Sequence, residues 1–290
     1  HDYETWLADA SELAFEVPLE QLDDFNIIYS SGTTGLPKGI LHTHAMRDLL
    51  AVRFTAFDYG PDTISLASTP LYSNTTLVAV LATLGVGGTT ILMPKSDAVK
   101  FLEIAREERV THAMLVPVQY QRILAHPDFD TYDLGSFKCK LSTSAPLRAQ
   151  IKADAVKRWP GRLIEIYGLT EGGPVMIGPR PDGRRTPRGS SGALWPEGEV
   201  KLIGADGTES GTYGEMWVRN PGVTPGYYKL PEVNAQRLKD GWLKTGDLFT
   251  RDAEGFYYFR GRTDDMFNSG GENIYPLEVE NLLLRHGAVA

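Results

Sequence analysis

Between residues 63 and 168 the hydrophobic pattern repeatedly changes period, from two, as on a strand, to about 3.6, as on a helix. Such a chain has few ways to fold. A strand followed by an amphipathic helix returns to its sheet as a parallel neighbour, and the helices cover the sheet faces. The pattern predicts strands at 63–68, 89–93, 112–116, 138–143 and 163–167. It predicts helices at 74–84, 98–108, 119–125 and 148–159. Ser73 or Asn74 can cap the first helix, Gly85, Gly87 and Gly88 stop it, and Asp97 can cap the second.

Beyond Gly172 the pattern changes: Gly, Pro and Arg crowd together, and short alternating strands follow at 199–203, 213–219, 243–250 and 255–260. The predicted fold class is therefore α/β, a mostly parallel sheet flanked by helices, followed by a β-rich antiparallel subdomain. Boundaries fall at 1–187 for the α/β core, 188–262 for the β-rich part and 263–290 for a hinge and the start of a small α+β lid.

With 42% hydrophobic residues among 290, the chain can bury a full core. Its formal charge of -8 excludes a broad basic surface, so nucleic acid is not an expected partner. The single cysteine, Cys139, allows no intramolecular disulfide and no thiolate metal cluster, and fits the cytoplasm. No apolar run approaches the roughly 18 to 20 residues needed to cross a bilayer. The chain opens on His1 and closes on an unfinished helix, so a fragment is expected at both ends. No pattern chooses between monomer and homodimer, and a homodimer is left open.

The strongest local signal is residues 26–44, NIIYSSGTTGLPKGILHTH, where a buried strand runs into a loop of serines, threonines, glycines and one lysine. Glycines let backbone N–H groups turn toward an anion, hydroxyls add donors, and Lys38 adds a point charge. It is not a Walker A loop, because Lys38 stands between Pro37 and Gly39. Alone, an ordinary Gly-rich turn explains it equally well. His42 and His44 alternate on the strand leaving this loop. Without a third ligand nearby they are not read as a metal pair, and His112 and His126 are read as structural or surface residues.

The YSSGTTGLPKG stretch resembles, nearly letter for letter, the phosphate loop of the adenylate-forming enzymes: acyl-CoA and aryl-CoA ligases, luciferases and peptide-synthetase adenylation domains. The resemblance implies that Ser30, Ser31, Gly32, Thr33, Thr34, Gly35 and Lys38 hold the β and γ phosphates of ATP. Four further segments match in the family's order. In IYGLTEG (166–172) it places Tyr167 against adenine, Thr170 at the α phosphate and Glu171 on Mg²⁺; taken alone, Thr-Glu after a strand reads as a helix cap. In STSAPL (142–147) it makes Ser144 and Ala145 an edge of the adenine and acyl pockets, and Glu165, Ile166 and Gly168 complete the nucleotide set. This turn departs from the family's Gly-Gly-Ala-Pro form at Thr143 and Ser144. In LKTGDL (243–248) it gives Asp247 both ribose hydroxyls, although a solvated turn aspartate reads the same way.

The last segment, FRGRTDDMFNSGGENIYPLEVE (259–280), resembles the hinge and first lid loop. Arg262 would contact ribose or α phosphate, Asp264 would mark the hinge, and Gly270 and Gly271 would line the tunnel for CoA, with a plain turn as the alternative. The SGGEN wording favours CoA ligases over carrier-protein loading domains. Catalytic roles then fall to Lys38, Thr170, Glu171 and Arg262, with ATP, Mg²⁺ and CoA as cofactors and a small carboxylic acid as partner. The family's lid lysine lies past Ala290, so low activity is expected of this chain alone. For the acid, Tyr72, Ser73, Leu77, Thr143 and Ile166 are the expected pocket, holding an aryl or medium-length acyl group; a charged diacid is disfavoured for want of a local arginine. A catalytically silent nucleotide-binding domain is the rival from another class.

Overall fold

The computed structural model describes residues 2–8, 16–30, 37–178, 186–187, 189–265, 267–269, 272–274, 276–283 and 286. Helix α1 (Tyr3–Leu7) precedes an antiparallel hairpin of β1 (Asp24–Ser30) and β2 (Lys38–Thr43), with Ser30 opposite Lys38. Thr43 ends β2 and caps α2 (His44–Phe54), its hydroxyl accepting from the Met46 N–H. His44 is thus the first residue of a helix, and the alternation expected of His42 and His44 along one strand stops at Thr43.

The alternating units then follow: β3 (Ile64–Ala67), α3 (Asn74–Gly85), β4 (Thr89–Leu92), α4 (Ala98–Glu107), β5 (His112–Leu115), α5 (Pro117–Leu124), β6 (Cys139–Ser142), α6 (Ala149–Arg158) and β7 (Arg162–Leu169). Every predicted strand and helix of this stretch is present, with small shifts at the ends. Helix α5 starts earlier than expected because Pro117 takes the first helical position, where a missing N–H costs nothing. Asp97 caps α4, accepting from the Lys100 N–H. At α3, Ser73 occupies the cap position without a side-chain bond, and the Asn74 amide is turned aside to Arg47.

Strands β4-β3-β5-β6-β7 are parallel, and β8 (Gly173–Gly178) and β9 (Ala193–Leu194) extend the sheet antiparallel. Strand alternation sorts the core into two layers. Ala113 and Leu115 pack with Phe101, Tyr120 and Trp159 on the face of α4, α5 and α6, while Met114, Cys139 and Leu141 pack with Leu50, Phe54 and Val78 of α2 and α3.

A second, antiparallel sheet runs through β10 (Glu199–Ile203), β11 (Glu209–Ser210) and β12 (Tyr213–Arg219). After helix α7 (Pro231–Arg237) it continues through β13 (Leu238–Lys239), β14 (Trp242–Arg251) and β15 (Tyr257–Arg262). It packs on β8, where Val175 and Met176 meet Met216, Val218 and Phe249. A short pair, β16 (Phe267–Ser269) and β17 (Glu272–Ile274), leads to α8 (Pro276–Leu283). Among the described residues no helix is long and apolar enough to cross a membrane.

The opposite face of β6 carries a buried lysine. The Lys140 ammonium, under the rings around Trp159, donates to the carbonyls of Trp159, Pro160 and Gly161 at 3.0, 2.5 and 2.8 Å, closing the chain just past α6. Burial pushes it down to about 8 from 10.5. Between those values the unfolded chain binds a proton that the folded one has released, so this group makes stability rise with pH across that window. Lys140→Met, which strands three carbonyls, is expected to cost about 3 kcal/mol or more in denaturant unfolding and to lose that rise between pH 8 and 10.5.

Candidate active site

Of the expected phosphate loop, Ser31, Gly32, Thr33, Thr34 and Gly35 lie outside the described residues, as do Gly270 and Gly271. Its two half-buried stems, Ser30 and Lys38, are register partners at the end of the β1–β2 hairpin. The free edge of β2 is held by residues 224–228. The Leu41 N–H donates to the Gly226 carbonyl at 3.0 Å, the Tyr228 N–H to the Gly39 carbonyl at 2.7 Å, and Ile40 bridges Tyr227.

Tyr167 and Gly168 end β7, and Thr170 and Glu171 form the turn into β8. Only glycine fits at 168, where a Cβ would fall 2.6 Å from the Gly173 carbonyl oxygen. One bond ties this turn to the hairpin and two tie it to residues 224–228 along the edge of β2. His42 Nε2 lies 2.8 Å from the Thr170 carbonyl oxygen, and since a carbonyl only accepts, the proton sits on Nε2 and Nδ1 is a bare lone pair. Burial, then the nearby Arg47 charge, pushes His42 down to about 4. The Tyr227 hydroxyl donates to Glu171 Oε1 at 3.0 Å, and the Thr224 N–H to the Glu171 carbonyl at 2.7 Å.

On the other side of the same turn lies Asp247, 6% exposed and opposite Arg262 across β14 and β15. The Tyr167 hydroxyl donates to Asp247 Oδ2 at 2.6 Å and Arg262 Nη1 to Oδ1 at 3.3 Å. Burial pushes the Asp247 carboxyl up, against the Tyr167 hydrogen bond and the charges of Arg262 and Arg237. Gly246 adopts φ 75°, and a Cβ there would fall 2.9 Å from Arg237 Nη1 and 3.4 Å from Arg262 Nη2. Asp264 is exposed, 3.8 Å from Arg262. The end of β7 therefore brings Thr170 and Glu171 against the Lys38 strand, and Tyr167 against Asp247 and Arg262. Tyr227 and Arg237 join this cluster without a motif to announce them. The only sequence signal for Arg237 is a basic residue in the last turn of a short helix.

The remaining expected residues lie on β7, in the turn after β6 and around the start of α3. The Thr143 hydroxyl donates to the Ile166 carbonyl at 3.0 Å, and the Ile166 side chain is buried in the core. Glu165 is held by Lys152 and by the Leu147 N–H. Ser144 stands at φ 75°, the conformation a glycine takes freely. Its hydroxyl meets Thr75 at 3.1 Å, and Ala145 is exposed. Tyr72 is 82% exposed, Ser73 heads α3 and Leu77 is half-buried.

Between α2 and α3, beneath the Thr170 turn, is a cleft of about 20 Å³ lined by His42, Met46, Arg47, Asn74, Thr170 and Pro174, among others. None of Tyr72, Ser73, Leu77, Thr143 and Ile166 lines it. Arg47 is brought there by folding: its Nε and Nη2 donate to Asn26 Oδ1 and its Nη1 to Asn74 Oδ1 at 3.0 Å. Among the described residues no three His, Cys, Asp or Glu side chains gather as a metal site.

A long-chain-fatty-acid–CoA ligase of Bacillus subtilis is 36% identical over 269 residues, which cover 90% of this chain and 48% of the ligase. An indoleacetate–CoA ligase of Aromatoleum aromaticum is 36% identical over 265 residues, 89% of this chain and 51% of the ligase. The solved O-succinylbenzoate coenzyme A synthetase of Bacillus subtilis, in complex with AMP, superposes with a TM-score of 0.87 at 29% identity, covering all of this chain and 60% of the synthetase. The chain spans about half the length of the curated relatives it matches. The sequence profile of AMP-binding enzymes matches residues 3–228. With that match over most of its length, and with the loop stem, the Thr-Glu turn and the buried aspartate gathered at the end of β7, this chain belongs to the AMP-binding enzyme family.

Proposed function

We propose that this chain carries the ATP and acid sites of an enzyme that activates a carboxylic acid as an acyl-adenylate and passes the acyl group to the thiol of CoA. The observation that carries this reading is the convergence at the β7–β8 hairpin of the Lys38 strand, Thr170 and Glu171, and the Asp247–Arg262 pair. The relatives named above are CoA ligases or synthetases, and that supports the second half-reaction.

In the first half-reaction a carboxylate oxygen bonds to the α phosphorus of ATP, and the bond from that phosphorus to the pyrophosphate oxygen breaks. In the second, the CoA sulfur bonds to the acyl carbon, its proton leaves, and the carbon–oxygen bond to AMP breaks. The adenylate is needed because a free carboxylate is a poor electrophile without a leaving group. The chain's share in this is position and charge. Lys38, fixed by its register with Ser30, faces the phosphates, and Thr170 presents its hydroxyl to the α phosphate. Asp247 offers two carboxylate oxygens to the vicinal ribose hydroxyls, in exchange for the donors it now holds from Tyr167 and Arg262. Arg262, released, turns to the phosphate.

Glu171 suits Mg²⁺, whose usual shell at phosphates is one or two carboxylates completed by phosphate oxygens and water. Tyr227 holds Oε1 and fixes the carboxylate's orientation. The ion would supply charge neutralisation at the phosphates.

Asp247→Ala is expected to weaken ATP binding by roughly ten- to a hundredfold, the loss of one charged hydrogen-bonding partner, as measured by calorimetric titration; unchanged affinity would remove Asp247 from the nucleotide site. In the whole protein, Mg-ATP with a panel of aliphatic and aromatic acids should release AMP when acid and CoA are both present. AMP release with acid and a carrier protein but not with free CoA would reassign the acceptor. No AMP with any acid, despite ATP binding, would leave a nucleotide-binding domain without ligase activity.

A further inference from the structure

Two buried polar groups in the cleft between α2 and α3 are left unanswered by the site above. Arg47 is 7% exposed, and its N–H groups reach only the amide oxygens of Asn26 and Asn74. Three of the five N–H groups of a guanidinium are thereby used, and among the described residues no carboxylate pairs with it. A full charge buried beside neutral amides is unfavourable until an anion joins it, and this burial alone holds Arg47 down at about 10. His42 is 2% exposed, and among the described residues its Nδ1 has no partner. The other arginine of the cleft, Arg53, is already matched to Glu197 at 2.9 Å, so the cleft wall keeps one unneutralised cation.

The space fits the end of a molecule. With about 20 Å³, it has room for a small polar end group and not for an acyl chain. Thr170, which the proposed mechanism sets at the α phosphate, lines the same cleft as Arg47. The expectation that a diacid is disfavoured rested on the lack of an arginine near residues 70–74. The fold brings Arg47 onto Asn74 of that same segment.

We propose that Arg47 and His42 receive a second, distal carboxyl group of the acid substrate, so that the protein activates short dicarboxylic acids in preference to monocarboxylic acids of the same length. The oxygens of that group accept from the free N–H groups of Arg47, and a proton taken up from solvent on binding lies between the carboxyl and His42 Nδ1, which gives the imidazole its missing partner. The inference rests on the acid-activating reading above and adds the class of acid.

The test is kcat/KM for acid-dependent AMP release by the whole protein with two matched pairs, succinate against butyrate and glutarate against valerate. The diacid of at least one pair should lead by about tenfold or more, as expected when an unpaired buried charge finds its partner. Arg47→Met should remove that lead and leave the monoacids within about threefold. Since Arg47 also ties β1 to α3, a second variant keeps it in place: Asn74→Asp supplies an internal carboxylate, and should abolish the diacid preference while raising Tm. Equal losses on both acids in Arg47→Met, with the preference intact in Asn74→Asp, would make the pair structural and overturn the proposal. Wild-type preference for the monoacids, or for a neutral hydroxy acid of equal length, would also overturn it while leaving the ligase standing. No AMP with any acid, alongside ATP binding that Asp247→Ala weakens, would instead sink the acid-activating reading, and this inference with it.

Discussion

Most of the site depends on where β2 is held. The strand is hydrogen-bonded along one edge to β1 and bridged along the other to residues 226–228, so its position is set from both sides. The bond from His42 to the Thr170 carbonyl and that from Tyr227 to Glu171 then fix the β7–β8 turn to it. These bonds hold together the lysine at the loop stem and the carboxylate at the turn, which belong to separate sheets. Each bond is buried or half-buried, where an unmade partner is costly and geometry is correspondingly sharp.

The opposite wall follows another logic. Asp247 is kept out of water by the fold, and the resulting penalty is offset by Tyr167 and Arg262. A carboxylate already desolvated and already oriented needs little rearrangement to accept new donors, because the exchange replaces one set of hydrogen bonds with another. Gly246 is part of this arrangement, since the two guanidinium groups occupy the space where any other residue would place a Cβ.

The alternating units were legible because their signal is local: a strand's period and a helix's period are written within about ten residues. The turn chemistry was legible at Asp97, whereas Pro117 opens α5 two residues before the expected start of that helix. The positions of Lys38, Glu171, Asp247 and Arg262 came from resemblance, and the fold accounts for their company: Tyr167 reaches Asp247 across 80 residues and Tyr227 reaches Glu171 across 56. Arg47 could not have been read as a cleft residue, because its neighbours Asn26 and Asn74 stand on different elements that only the packing of α2 and α3 brings together. The conformation at Ser144 was not legible either. A serine stands there in the backbone conformation that glycine takes freely, at a strain of about 1 to 2 kcal/mol.

The buried ammonium of Lys140 has a bearing on how the molecule opens. The carbonyls at 159–161 are satisfied from β6 and not from their own helix, so the end of α6 cannot fray by itself: lifting it would leave a charge among aromatic rings. Helix end and central strand therefore belong to one cooperative unit, and their slow-exchanging amides would exchange together, at the free energy of the whole sheet rather than that of a surface helix.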